Sequence, residues 1–238
     1  VHFMTERERH AASDISTMVI DVGSRSFEET RDIFQIDIGA PVVPDVACEI
    51  QHERELVVGK ALDCRIGVAA MLETLDQIDP AGHRNAVCAC LSSQEEVGDR
   101  GIQTALHQLE ADVAIVFEGC PADDTFTEDW LCQTAMGKGP MLRHMDRSII
   151  ANPRWMRQVL DLAHQRQIPV QESVRSGGGN NGAMIQLSQR GIPTVVLGIP
   201  VRYIHSHHGI ASLADVEAAV ALAKAVIDTV TAADVAGL

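Results

Sequence analysis

Short, nearly unbroken apolar runs alternate with stretches whose apolar residues recur at helical spacing. The runs are TMVIDVG (17–23), NAVCACLSS (85–93), DVAIVFEG (112–119) and TVVLGIP (194–200). Their continuity predicts central strands covered on both faces. GPMLRHM (139–145) and PVQESVR (169–175) are shorter strand candidates. Helical spacing is clearest in CRIGVAAMLETLDQI (64–78) and ADVEAAVALAKAVIDTV (214–230). Asn152 before Pro153 predicts an N-cap with proline in the first turn. Ser212 and Asp215 predict the start of the last helix, and Ser26 with Glu29 a capping box for a short helix through Asp32. This alternation predicts an α/β architecture. Residues 1–58 differ, mixing charges, prolines and short β-like runs such as FQIDIGAPVV without a long helical pattern. They predict part of a small β-rich module, joined to an α/β domain over 59–238.

Composition narrows the partners. The chain has 238 residues and a formal net charge of -14, which disfavours a nucleic-acid backbone or an anionic membrane. No apolar run approaches the roughly 20 residues of a membrane span. The start, VHFMTERERHAASD, lacks the basic-then-apolar layout of a secretory signal. Six cysteines without a CxxC pair predict reduced thiols in a cytoplasmic protein.

Candidate chemistry lies where strands end. Asp63 stands at a helix start, Glu95 and Glu96 follow one apolar run, Glu118 ends another, and His205 follows a third. Each alone has a plain reading: an N-cap, a solvated turn, a strand edge, a loop histidine. Together they fall at the sheet edge where ligands bind in open α/β folds. Converging carboxylates require cations, and carboxylates with an imidazole suit zinc, cobalt or manganese. Arg202 and Tyr203 are candidates for flanking a substrate, although Arg202 can equally pair with a neighbouring acid.

GKALDCRIG, SSQEEVGDRG, VFEG, GKGP and GIPTVVLGIPVRYIHS follow one another in an order and spacing that resembles the M42 metallo-aminopeptidases. The resemblance implies a three-layer, mixed-sheet, zinc-peptidase-like catalytic domain, with residues 1–58 part of an inserted β-rich dimerisation domain. It implies Asp63 as the carboxylate bridging two divalent ions, Glu96, Glu118 and His205 as further ligands, and Glu95 as general base. Asn181 falls at a substrate-binding position. The implied activity is removal of N-terminal residues from short peptides, within a homo-oligomer that is a dimer or a tetrahedral dodecamer.

Three departures qualify that expectation. The family's first histidine ligand precedes the part matched here, so roughly a hundred residues are expected to be absent; His2 matches the inserted domain and is not that ligand. Asn180 and Asn181 stand where many relatives have Thr-Asp, which removes a negative charge. Glu118 replaces a commoner Asp. The alternatives are a non-catalytic truncated homologue and another two-metal amidohydrolase, such as a deacylase. A glucanase is disfavoured, because the Glu pair is committed to metal chemistry and only 3% of residues are aromatic.

Overall fold

The structure is a computed structural model that describes residues 5–6, 10–82 and 84–238; His2 lies outside them. It comprises two compact units, Val1–Pro44 and Asp45–Leu238. The division therefore falls before residue 58, because the segment just after Pro44 belongs to the larger sheet. There β1 (Glu49–Gln51) pairs with β2 (Leu56–Gly59), and β2 pairs antiparallel with β7 (Gly209–Ser212), Leu56 opposite Ser212.

The first unit is not β-rich among its described residues. It holds a 3-10 turn, Ile15–Thr17, and a π-helical turn, Glu29–Ile33. The Ser26 hydroxyl accepts from the Glu29 N–H as expected, but the Glu29 carboxylate accepts from Arg25 rather than Ser26. Neither TMVIDVG nor FQIDIGAPVV forms a strand. No ladder within the unit satisfies them, and Val19, Ile20 and Ile38 stay exposed.

In the second unit β6 (Thr194–Arg202) is the central strand of a seven-stranded sheet. It runs parallel to β3 (Ala114–Pro121), with Glu118 opposite Gly198. It runs antiparallel to β4 (Met141–Met145), with Met141 opposite Gly198, and to β7. β5 (Gln171–Val174) extends the sheet beyond β4. On one face α3 (Pro153–Gln165) and α5 (Leu213–Thr229) bury Trp155, Met156, Val159 and Leu222 against Leu142, Val195 and Leu197. The Asn152 side chain caps α3 through the Arg154 and Trp155 N–H groups.

Helix α1 (Leu62–Gln77) packs on β3 and β6 through small residues. A Cβ on Gly67 would meet Cys64 Sγ at 2.5 Å and the Phe117 carbonyl oxygen at 2.9 Å, so only glycine permits this approach. Asp63 and Cys64 have non-helical backbone angles, which makes the first turn of α1 an irregular entry to the helix. Ser212 sits at the start of α5 without a side-chain capping bond. Asp215, fully buried, instead accepts from Gly137 N at 2.7 Å and Gly139 N at 2.6 Å, holding the GKGP turn. The opposite face of the sheet carries α2 (Arg100–Ala105) and α4 (Gly182–Leu187), and a short α6 (Ala232–Ala236) closes the chain with its own capping box.

NAVCACLSS, another of the apolar strand candidates, has no ladder partner among the described residues. It is anchored at both ends. Asn85 donates to the Ile227 and Val230 carbonyls, while the Ser93 carbonyl accepts from Gly101 N at 2.9 Å. Between those anchors Val87 and Leu91 are exposed, because no element among the described residues covers them. Among the described residues no helix is long and apolar enough to cross a membrane.

Candidate metal centre

The sheet delivers its acids to one edge. β3 carries Glu118 in its C-terminal half, the entry to α1 presents Asp63, and the loop after β6 presents His205. The turn 93–101 carries Glu95 and Glu96. It is folded on its own backbone, with the Gly98 and Asp99 N–H groups both reaching the Glu95 carbonyl at 2.9 Å. Ala61, Gln94, Asp99, Tyr203 and His205 all adopt left-handed angles, with φ from 53 to 60°. Each such non-glycine residue costs roughly 1–2 kcal/mol, and strain of this kind gathers at functional sites.

His205 Nε2 lies 2.7 Å from Asp63 Oδ2 and 3.7 Å from Glu96 Oε2. Ligand atoms of Asp63, Glu96 and His205 all fall within 4.8 Å of one another, as do those of Asp63, Cys64 and Glu118. Asp63 belongs to both groups. The four expected ligands are therefore gathered at one place, and Cys64 joins them unforeseen.

Electrostatics fit a cation. Glu118 is only 7% exposed and has no basic partner among the described residues. Burial, with Asp63 and Glu95 nearby, pushes its carboxyl well above the ordinary range. Burial first, then the carboxylates of Asp99, Glu96 and Asp63, raises Glu95 to about 7. Burial and the adjacent acids also push the Cys64 thiol up. The Gly119 N–H donates to both Cys64 Sγ and Glu118 Oε1, coupling the start of α1 to the end of β3. Ionised carboxylates packed this closely need positive charge, and oxygen donors with one imidazole suit a divalent ion.

The other candidates lie elsewhere. Both Nε and Nη2 of Arg202 bind Asp124, at 2.9 and 2.7 Å, so its guanidinium is occupied in holding that loop. The pairing keeps the Asp124 carboxyl below its usual range. Asn181 donates to Ser92 Oγ at 3.0 Å and does not line the cleft; an amide has no charge to offer an amine and finds a hydroxyl instead. Tyr203 does line a pocket of about 190 Å³ beside Asp63, Glu96 and His205, edge-on to Phe126. A larger cleft of about 580 Å³ is lined by Asp63, Glu95, Glu96 and Glu118 together with Arg143, Arg175 and the loop 176–179. Neither arginine was foreseen. The only signal was a charged residue inside each of two otherwise strand-like runs.

The family model of the M42 glutamyl aminopeptidases matches residues 1–222. The chain belongs to the M42 family. A TET aminopeptidase structure from a marine sediment archaeon superposes with TM-score 0.93 at 37% identity, covering 99% of this chain and 67% of that one. A putative aminopeptidase of Acetivibrio thermocellus is 32% identical over 93% of this chain and 65% of its own length. A lysyl aminopeptidase of Pyrococcus furiosus is 29% identical over 90% of this chain and 60% of its own. This M42 chain thus spans about two thirds of the length of the relatives it matches, and its mixed-sheet fold is theirs.

Proposed function

We propose that this chain forms the metal-binding part of an aminopeptidase that removes N-terminal residues from short peptides. The observation carrying the reading is that Asp63 is shared by two ligand groups, with Glu95 beside them. Two bound divalent ions (zinc, cobalt or manganese) would supply an activated water and a polarised scissile carbonyl. Asp63 would face both ions, Glu96 and His205 would complete one side, and Glu118 would serve the other. Glu95, raised toward neutrality, is suited to take a proton from the attacking water and return it to the departing amine. Tyr203 lies where it can flank the substrate. The irregular backbone around the turn 93–101 holds the two glutamates apart in function, one as ligand and one as base.

Assembly with further copies of the chain is part of the same reading, and the exposed apolar residues of the first unit are available for it. One observation favours a second reading, a chain without turnover: the group of Asp63, Cys64 and Glu118 contains no imidazole. Metal analysis together with hydrolysis of amino-acid p-nitroanilides separates the two. Stoichiometric metal with turnover that requires a free α-amine supports the aminopeptidase and excludes a deacylase. Metal binding with no hydrolysis of any substrate supports the inactive reading. The preferred first residue does not follow from names, since the family is called glutamyl and one relative lysyl.

A further inference from the structure

The half of the metal centre formed by Asp63, Cys64 and Glu118 has no imidazole and holds a sulfur instead. One ligand atom from each of the three, Cys64 Sγ included, lies within 4.8 Å of the others. No other cysteine joins such a group among the described residues. Cys48 and Cys88 are exposed, Cys120 is buried in the core, and Cys132 donates to Asp123 at 3.1 Å.

The backbone explains how two neighbouring side chains reach the same place. On a regular helix consecutive residues point about 100° apart and do not face a common point. Asp63 (φ -86°, ψ 110°) and Cys64 (φ -113°, ψ 43°) leave helical geometry at the entry to α1, and there their ligand atoms gather with that of Glu118. Gly67 leaves room for the sulfur, since a Cβ there would stand 2.5 Å from Cys64 Sγ.

The contacts of the sulfur suit a ligand. The Gly119 N–H donates to it at 3.3 Å, and the same N–H reaches Glu118 Oε1 at 3.1 Å. A hydrogen bond of this kind strengthens when its acceptor carries negative charge, so it supports a sulfur that has lost its proton. The thiol itself donates to the Phe117 carbonyl oxygen at 3.5 Å. S–H is a weak donor, so little is lost when that hydrogen leaves.

We propose that Cys64 Sγ is a ligand of the ion held by Asp63 and Glu118, which makes this half of the centre selective for zinc over manganese. The inference rests on the two-ion centre of the aminopeptidase reading. On binding, the sulfur releases its proton to solvent and gives an electron pair to the ion. Soft sulfur favours zinc, whereas a set of oxygens alone suits manganese.

Cobalt(II), an absorbing stand-in for zinc, tests this without any turnover. A thiolate bound to cobalt gives a charge-transfer band in the near ultraviolet that oxygen and nitrogen ligands do not give. The protein saturated with cobalt is expected to show that band, and Cys64→Ser to lose it while still holding metal. A triple variant, Cys48→Ser, Cys88→Ser and Cys90→Ser, leaves α1 untouched and should keep it. In competition titrations the preference for zinc over manganese should fall at least about tenfold in Cys64→Ser. Cobalt-loaded protein without the band overturns the proposal and leaves the aminopeptidase reading standing. A band that survives in Cys64→Ser, or vanishes in the triple variant, overturns it as well. A Cys64 that only packs α1 against β3 would affect stability and give no band. The band in a protein that hydrolyses no substrate would count against the aminopeptidase reading and leave the ligand standing. Protein that takes up no cobalt overturns both.

Discussion

Glu95 carries the sharpest expectations at the scale of single residues. Its ordinary value is 4.5, and the fold raises it to about 7. Between those values the native state holds a proton that the unfolded chain releases. Stability of the metal-free protein from this group is therefore full below about 4.5 and declines as pH rises through about 7. Glu118 shifts in the same direction. Calorimetry in a chelator is expected to show a lower Tm near pH 8 than near pH 5, and added zinc should narrow or reverse the difference. Glu95→Gln should retain metal while losing activity by about 10²–10⁴-fold, read from p-nitroanilide turnover alongside metal content. Asp63, Glu96, Glu118 and His205 were legible in the sequence because each falls where a strand or loop meets the sheet edge. Arg143 and Cys64 were not. Arg143 sits inside an apolar strand whose register brings it to the cleft, and Cys64 sits at a helix start that the close approach of α1 to β3 sets beside Glu118. Arg202 offered two readings, and the nearer acid, Asp124, took it.

Among elements, the legible strands were those that find partners within this chain: β3, β4, β5 and β6 all formed where apolar continuity placed them. NAVCACLSS has the same pattern and no ladder partner among the described residues, since pattern reports burial potential and not what is available to supply it. Asn152 caps α3 as its sequence implies, whereas the Ser26–Glu29 box closes only on one side, Ser212 makes no capping bond and Asp215 turns to hold the GKGP turn. Asp215→Ala strands the buried Gly139 N–H and releases that of the exposed Gly137, and should cost about 1–3 kcal/mol, measurable by denaturant unfolding. Gly67→Ala pushes a methyl into Cys64 and the Phe117 carbonyl. A loss of about 1–3 kcal/mol is expected from overpacking. Because α1 carries Asp63, metal affinity measured by calorimetry should fall with it.

Across the whole molecule, the second unit buries a continuous core beneath α3 and α5 but leaves apolar residues bare elsewhere. Leu91 is 61% exposed and Val19 88%. Patches of this kind mark contact surfaces, and an extended unpaired segment invites strand pairing. The 238-residue chain on its own is expected to bind a hydrophobic dye and to self-associate on sizing columns. Leu91→Lys should weaken both without lowering the unfolding midpoint, because Leu91 makes no core contact to lose.

The segment from Asn85 to Ser93 is clamped at each end, and Glu95 begins two residues past the second clamp. Whatever straightens or twists that ribbon would act as a lever on the turn beyond, swinging the glutamate pair relative to Asp63 and His205.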